Sequence, residues 1–350
     1  MLEIKKHGII LSPTDLEFEN FAVLNPGAYQ DGETVHLYYR AIDTKHQSSI
    51  GYARLKGPTE VVERWQKPII DRQFDYEIQG VEDPRITKIG KKFYITYVAH
   101  DGKNAVTAYA VSSDLKKFMK RGVITPQLHY HDVAKILEEA TPPLKDSYFF
   151  FESYYEEQAG EGVLLWDKDT LFFPRKINNS YALIHRILPD IQICYFNKFS
   201  DLASTQFWID YLKNMPKYFV LENKHWFESR NIGGGCVPIE TEAGWVVIFH
   251  AVEARNSGRV YHAAAALLDK DDPTKVLGRL HEPLFSPTLD WEISGFVPNV
   301  VFPTATSIFG DSLYIYYGAA DRYIGVAEVS MSNLIAEMLN PANNHKSPKT

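Results

Sequence analysis

Short runs in which apolar and aromatic residues dominate, bounded by turn residues, recur along the whole chain, whereas helical periodicity is scarce. Five of these runs align with one another: VHLYYRA (35–41), FYITYVA (93–99), YALIHRI (181–187), WVVIFHA (245–251) and LYIYYGA (313–319). Each follows a hairpin signal, namely Asp31-Gly32, Gly90-Lys91, Asn178-Asn179, Ala243-Gly244 and Gly310-Asp311. Each turn is preceded by an extended stretch carrying Pro26, Pro84, Pro174, Pro238 or Pro303, and each aromatic run is followed by another strand-like run such as SIGYARL or VYHAAAALL. The turn residues at 32, 90, 179, 244 and 310 are spaced by 58, 89, 65 and 66. One interval therefore holds an excursion, about 118–163, that is either a surface lobe or a wall of a binding cleft. The pattern predicts an all-β fold, a five-bladed β-propeller occupying 1–340 as one domain, with a long inter-blade insertion. Helices are expected only in SDLASTQFWIDYLKN (200–214) and in the short terminal MSNLIAEML (331–339), and 341–350 reads as a polar tail.

Composition narrows the function. With 37 Lys+Arg against 44 Asp+Glu the formal charge is −7, which argues against a nucleic-acid partner. No apolar run reaches membrane-spanning length, so no membrane partner is expected. The start, MLEIKKHGIILSPTDLEFEN, lacks a signal-peptide core, and the two cysteines, Cys194 and Cys236, make no disulfide framework. A cytoplasmic protein is expected. Aromatic residues at 13% suit strands and also suit stacking on sugar rings.

Candidate chemistry lies where the repeats become polar. The position before the last residue of the five aligned runs is Arg40, Val98, Arg186, His250 and Gly318. Repeat-equivalent positions converge on a shared space, so Arg40, Arg186 and His250 together predict an anion site, with phosphate matching the guanidinium fork. Asp83, in Glu82-Asp83-Pro84-Arg85, is either half of an ion pair or a general acid. Asp321 follows the fifth run as Asp43 follows the first. Asp167-Lys168-Asp169, taken alone, reads as a solvated turn. No cluster has metal-ligand spacing.

Together, GVEDPR (80–85), NPGA (25–28), DKDTLFFPRKINNSYALIHR (167–186), GWVVIFHAV (244–252) with ALLDKDDP (266–273), and NVVFPTA with DSLYIYYGAADRYIGVA (299–327) resemble glycoside hydrolase family 130. The resemblance implies a five-bladed propeller and inverting phosphorolysis of β-mannosides to α-mannose 1-phosphate and a shortened acceptor. It implies Asp83 as the general acid, acting through the 3-hydroxyl of the transferred sugar. It also implies Lys168, Arg186 and His250 as phosphate ligands, and Asn25, Arg40 and Asp321 as ligands of the transferred mannose. Inorganic phosphate is then a co-substrate, and no cofactor or metal is expected. A hydrolase of the same family, with Glu253 or Glu292 as base, and a non-catalytic carbohydrate-binding propeller are the alternatives. The string GGGCVPI (233–239) stands where phosphorylase members carry a GAGPPPI-like one. Linkage and acceptor stay open between β-1,2 and β-1,4 and among glucose, mannose and N-acetylglucosamine, and a homo-oligomer is compatible with the reading.

Overall fold

A computed structural model describes residues 2–340 of the chain (for residue 152, the backbone alone). The expected tail at 341–350 lies outside the described residues. The chain is mostly β, arranged as successive meanders of antiparallel strands, the first two joined into one eight-stranded sheet by a parallel bridge between Ser48 and Gly80. Strand β1 (Lys5–Leu11) comes first. The first meander is β2 (Ala22–Asp31), β3 (Thr34–Ile42), β4 (Ser48–Lys56) and β5 (Glu60–Arg64). The second is β6 (Gly80–Ile89), β7 (Lys92–His100), β8 (Ala105–Ser112) and β9 (Met119–Val123). The excursion then folds into α1 (Tyr130–Glu138) and α2 (Ser147–Ala159).

The third meander is β10 (Lys168–Phe172), β11 (Tyr181–Arg186), β12 (Ile191–Phe196) and β13 (Phe219–Leu221), with α3 (Thr205–Lys213) before its last strand. In the fourth, β14 (Asn231–Gly234) and β15 (Ile239–Glu240) both pair with β16 (Trp245–Arg255), followed by β17 (Gly258–Leu268) and β18 (Val276–Arg279). A single turn, α4 (Asp290–Ile293), leads to β19 (Val301–Phe309), β20 (Ser312–Ala319) and β21 (Tyr323–Ser330), and the described chain closes with α5 (Met331–Met338). Strand β1 pairs antiparallel with β21 and completes the fifth meander from the opposite end of the chain.

The core sits between meanders. Tyr38, Ile50 and Tyr52 pack against Val81, Ile86 and Ile95 from the next unit. Leu171 and Ile184 likewise meet Trp245 and Phe249, and Val246 and Ile248 meet Leu313 and Tyr317. Val23 and Leu37 of the first unit pack on Tyr316 and Val326 of the fifth. Their first strands approach closely: a Cβ on Gly27 would lie 2.7 Å from the Pro84 carbonyl, and one on Gly235 2.8 Å from that of Pro303.

The alternation of each second strand has a second use. One residue before the aligned position stand Tyr39, Tyr97, Phe249 and Tyr317 in four units and His185 in the third, each facing the opposite side of its strand. There the tyrosines meet fully buried glutamates carried by one-turn helices. Tyr39 donates to Glu19 at 2.7 Å, Tyr97 to Glu77 at 2.8 Å and Tyr317 to Glu292 at 2.7 Å. Arg64 at 3.0 Å and Lys6 at 2.6 Å neutralise Glu19 and Glu292, and Lys120 neutralises Glu77. In the fourth unit Glu228 pairs with Arg279 at 2.6 Å, whose guanidinium lies over Phe249. The third unit instead buries Asp190, held by Lys145 at 2.8 Å and Tyr148 at 2.8 Å, both from the excursion.

Glu292 is therefore a structural carboxylate and not a free base. Its Oε2 also accepts from the backbone N–H groups of Thr288 and Leu289. Glu292→Gln turns a full acceptor into a group with two competing donors and leaves the Lys6 ammonium facing it. A loss of about 3 kcal/mol is expected. Equilibrium denaturant titration checks it, and an unchanged midpoint contradicts it.

Candidate active site

The site is built on bulges. The register of β2–β3 slips between Leu24 and Gly27, that of β6–β7 between Glu82 and Arg85, and that of β10–β11 between Lys168 and Leu171. Asn25, Asp83 and Asp169 sit in these slips with φ of +46°, +49° and +58°. Asn and Asp tolerate this left-handed region better than other side-chain-bearing residues, and a bulge re-aims the side chain it carries. All three line one cavity of about 470 Å³, joined there by Arg40, Lys168, Arg186 and Asp321.

One half of the cavity is organised around Asp83. Asn25 donates from Nδ2 to Asp83 Oδ1 at 2.9 Å, and Arg40 Nη1 lies 3.7 Å from the same oxygen. The neighbouring Arg85 does not pair with this carboxylate; its Nη1 donates to the Asp83 backbone carbonyl at 2.9 Å and its Nε to Gly235 O at 2.6 Å. Arg40 is clamped by Glu82 at 2.7 Å and by the Ser48 hydroxyl at 3.0 Å. Burial disfavours the charge on Glu82, but Arg40 and then Lys168 outweigh it and hold its pKa below the usual range. Gly318 is small for a reason: a side chain there would strike Asn25.

Asp321 completes this half, in a left-handed turn at φ +51°. Burial pushes its pKa up to about 7, with Arg40 opposing and the charges of Asp83 and Glu82 adding to the rise. A carboxyl whose folded pKa lies above its unfolded value near 3.8 costs stability as pH rises through that window, and the full cost is present above pH 7. Asp321→Asn is therefore expected to stabilise the protein by roughly 2–4 kcal/mol at pH 8. The gain should shrink as pH falls from 7 towards 4. Denaturation midpoints at pH 8 and pH 5 check this; an equal effect at both contradicts it.

The other half gathers basic groups around Asp169. Arg186 Nη1 lies 3.0 Å from Asp169 Oδ2, and His250 Nε2 3.9 Å from the same oxygen. Lys168 faces Arg186 across the β10–β11 ladder, its ammonium over the Trp166 ring at 4.8 Å. Burial lowers the His250 pKa to about 4, with Asp169 opposing and Arg186 and Arg85 adding to the fall, so the ring is a neutral donor at pH 7. Arg186 Nε and Arg85 Nη2 are buried without a hydrogen-bond partner in the protein, as is Asp169 Oδ2 beside them, while the Gly234 backbone acts on the His250 ring. A Cβ on Gly233 would meet the His250 ring and Asp169, which explains a glycine at that position of GGGCVPI.

The expected trio of Arg40, Arg186 and His250 thus divides: Arg40 faces the acid, while Arg186 and His250 face Asp169. His250 does not itself line the cavity but lies fully buried behind it. Asp167-Lys168-Asp169 is not a solvated turn, because Asp167 is fully buried on His185 at 2.7 Å and Asp169 is buried on Arg186. Neither Glu253 nor Glu292 lines the cavity; Glu253 is engaged by Arg255 at 2.8 Å and His262 at 3.2 Å. The excursion supplies a wall, through Tyr155 of α2. Asp169, Arg85, Arg230 and Arg259 were not anticipated as site residues. Asp169 and Arg85 had a signal, in the DKD and EDPR strings.

A carboxyl across a cavity from basic groups is an arrangement compatible with glycosidic-bond cleavage, in which an acid serves the leaving oxygen and an attacking group comes from the opposite face. Comparison with known proteins specifies the family. The model of glycoside hydrolase family 130, described as β-1,4-mannooligosaccharide phosphorylase, matches residues 9–339. The chain is 32% identical over 339 residues to a 1,2-β-oligomannan phosphorylase of Thermoanaerobacter sp. (strain X514), covering 93% of this chain and 96% of that protein. It is 35% identical over 337 residues to a β-1,2-mannobiose phosphorylase of the same organism, covering 91% and 94%. The structure is similar to the β-1,2-mannobiose phosphorylase of Listeria innocua in complex with β-1,2-mannobiose, with a TM-score of 0.71 and 22% identity, covering 96% of this chain and 99% of that one. The chain belongs to glycoside hydrolase family 130.

Proposed function

We propose that the protein is an inverting β-mannoside phosphorylase. It converts a β-linked mannosyl disaccharide or oligosaccharide plus inorganic phosphate into α-mannose 1-phosphate and the shortened acceptor. Asp83 protonates the leaving oxygen through the 3-hydroxyl of the transferred mannose. Asn25, Arg40 and Asp321 hold that mannose, and Lys168, Arg186 and His250 hold the phosphate. Phosphate is already anionic at neutral pH, so it needs positioning and charge neutralisation and no general base. The observation that carries the reading is the buried, partnerless Nε donor of Arg186 at the cavity, with Lys168 lining the same wall. Glu253 and Glu292, the bases a hydrolase would require here, are engaged in ion pairs outside the cavity, which favours phosphorolysis over hydrolysis. A non-catalytic binder would have no use for a carboxylate set opposite an anion cradle.

The scaffold is read as a single five-bladed β-propeller over 1–340. The pairing of β1 with β21 and the packing of the first unit on the fifth support a closed ring. Two free, buried cysteines suit a cytoplasmic location. Among the described residues no helix is long and apolar enough to cross a membrane. The relatives matched over more than nine-tenths of this chain are named for β-1,2 linkages, and we assign β-1,2-mannosides as the preferred substrates. Assay on β-1,2-mannobiose, β-1,4-mannobiose and mannosyl-glucose, each with phosphate, tests the assignment. The β-1,2 substrate should have the highest kcat/KM; a higher value for a β-1,4 substrate overturns the linkage.

A further inference from the structure

The cavity mouth holds two guanidiniums that, among the described residues, form no ion pair with a carboxylate. Arg40 and Arg186 each have an acidic partner, at 2.7 and 3.0 Å. Arg230 and Arg259 also line the cavity, and among the described residues neither has a carboxylate within ion-pair distance. Their hydrogen-bond partners are neutral: Arg230 Nη1 donates to Asn231 Oδ1 at 2.6 Å, and Arg259 Nη2 to the Tyr154 hydroxyl at 3.3 Å. The excursion holds them in place. Arg230 lies over the rings of Phe151 and Tyr154, 5.0 and 5.8 Å from their centroids. Arg259 is exposed at the β16–β17 hairpin, whereas Arg230 is half-buried.

Burial first, and then the charge of Arg259, lowers the Arg230 pKa, whereas the hydroxyls of Tyr154 and Tyr261 outweigh burial and raise that of Arg259. Two like charges lining one cavity, beside a deeper cluster of basic groups, are what an incoming anion neutralises. Fork-shaped donors favour phosphate oxygens. We propose that Arg230 and Arg259 form an outer phosphate station, through which inorganic phosphate reaches the inner cradle of Lys168 and Arg186 and the sugar phosphate departs. The station rests on the phosphorylase reading for its place in the reaction, but it is a separate site. Helix α2, with Phe151 and Tyr154 on it, then serves to aim two arginines at the mouth.

Steady-state kinetics of Arg230→Gln, Arg259→Gln, the double variant and Arg259→Lys test it. In the double variant kcat/KM for phosphate is expected to fall roughly fivefold to tenfold at low salt. The loss should lie in KM for phosphate, and its dependence on ionic strength should be flatter than in the wild type. In the synthetic direction KM for α-mannose 1-phosphate should rise by a similar factor, while KM for the neutral mannoside stays within about twofold. Arg259→Lys, which keeps the charge, should recover most of the single-variant loss. Unchanged KM values for both anions overturn the station, and so does a rise confined to the neutral mannoside, which would make this a sugar wall. Calorimetry of inorganic phosphate with the resting wild-type and double-variant proteins gives a reading independent of turnover. A wild type without phosphate-dependent turnover refutes the reaction, while the calorimetric comparison still decides the station.

Discussion

Asp83→Asn is expected to lower phosphorolysis of an unactivated mannoside by about 10²–10⁴-fold, the range that a positioned acid contributes. The substitution removes the titrating proton and the charge that Arg40 and Asp321 face, and keeps the shape of the side chain. Asparagine tolerates the left-handed φ of +49° at this bulge, and its carbonyl oxygen can still accept from Asn25 Nδ2. The Asp83 backbone carbonyl still receives Arg85, so the bulge keeps its anchor. The thermal midpoint should therefore move little while kcat collapses. A dinitrophenyl β-mannoside, whose leaving group needs no protonation, should suffer a much smaller loss. Retention of more than a tenth of the activity on mannobiose would remove Asp83 from the mechanism.

Arg186→Gln attacks the other half of the site and should fail in a different parameter. The guanidinium neutralises Asp169, which is buried and also approached by His250. Without Arg186 a buried carboxylate would face the incoming phosphate, adding repulsion to the lost hydrogen bonds. KM for phosphate should rise by more than about 100-fold, equivalent to about 3 kcal/mol. The unpaired Asp169 should also destabilise the fold by about 3–5 kcal/mol. Asp169→Asn combined with Arg186→Gln separates the two effects. It should recover stability and leave phosphate affinity poor. Initial rates over a wide phosphate range, with denaturant titrations beside them, check both parts. A single variant with unchanged KM for phosphate would contradict the assignment.

What could be read from the chain beforehand followed its periodicities. Arg40, Arg186 and His250 stood out because each second strand alternates faces, so one repeat-equivalent position points towards the shared cavity. The face behind it escaped notice. Glu19, Glu77, Glu228 and Glu292 sit in single helical turns, too short to show a period, and the pairing of three of them with tyrosines 20 to 25 residues further on exists only once each unit has folded. Lys168 and Asp169 lie at a bulge, where register slips and strand alternation no longer says which way a side chain points. Lys168 entered through family resemblance alone.

The excursion was legible as an interruption but not as helices. In α2, SYFFFESYYEEQA, aromatic residues run almost all round the helix, with Phe151 buried and Phe150 exposed, so no apolar stripe marks it. Arg230 and Arg259 have no counterparts in the other units. Only the folded excursion, bringing Phe151 and Tyr154 under one arginine and a hydroxyl to the other, shows why they are there.

The most direct test of the account is the product formed by the wild-type protein from β-1,2-mannobiose with and without inorganic phosphate, followed by phosphorus and proton NMR. The account predicts α-mannose 1-phosphate in amounts equal to the mannose released from the acceptor side, and no turnover without phosphate. Free mannose at the same rate in the absence of phosphate would contradict it.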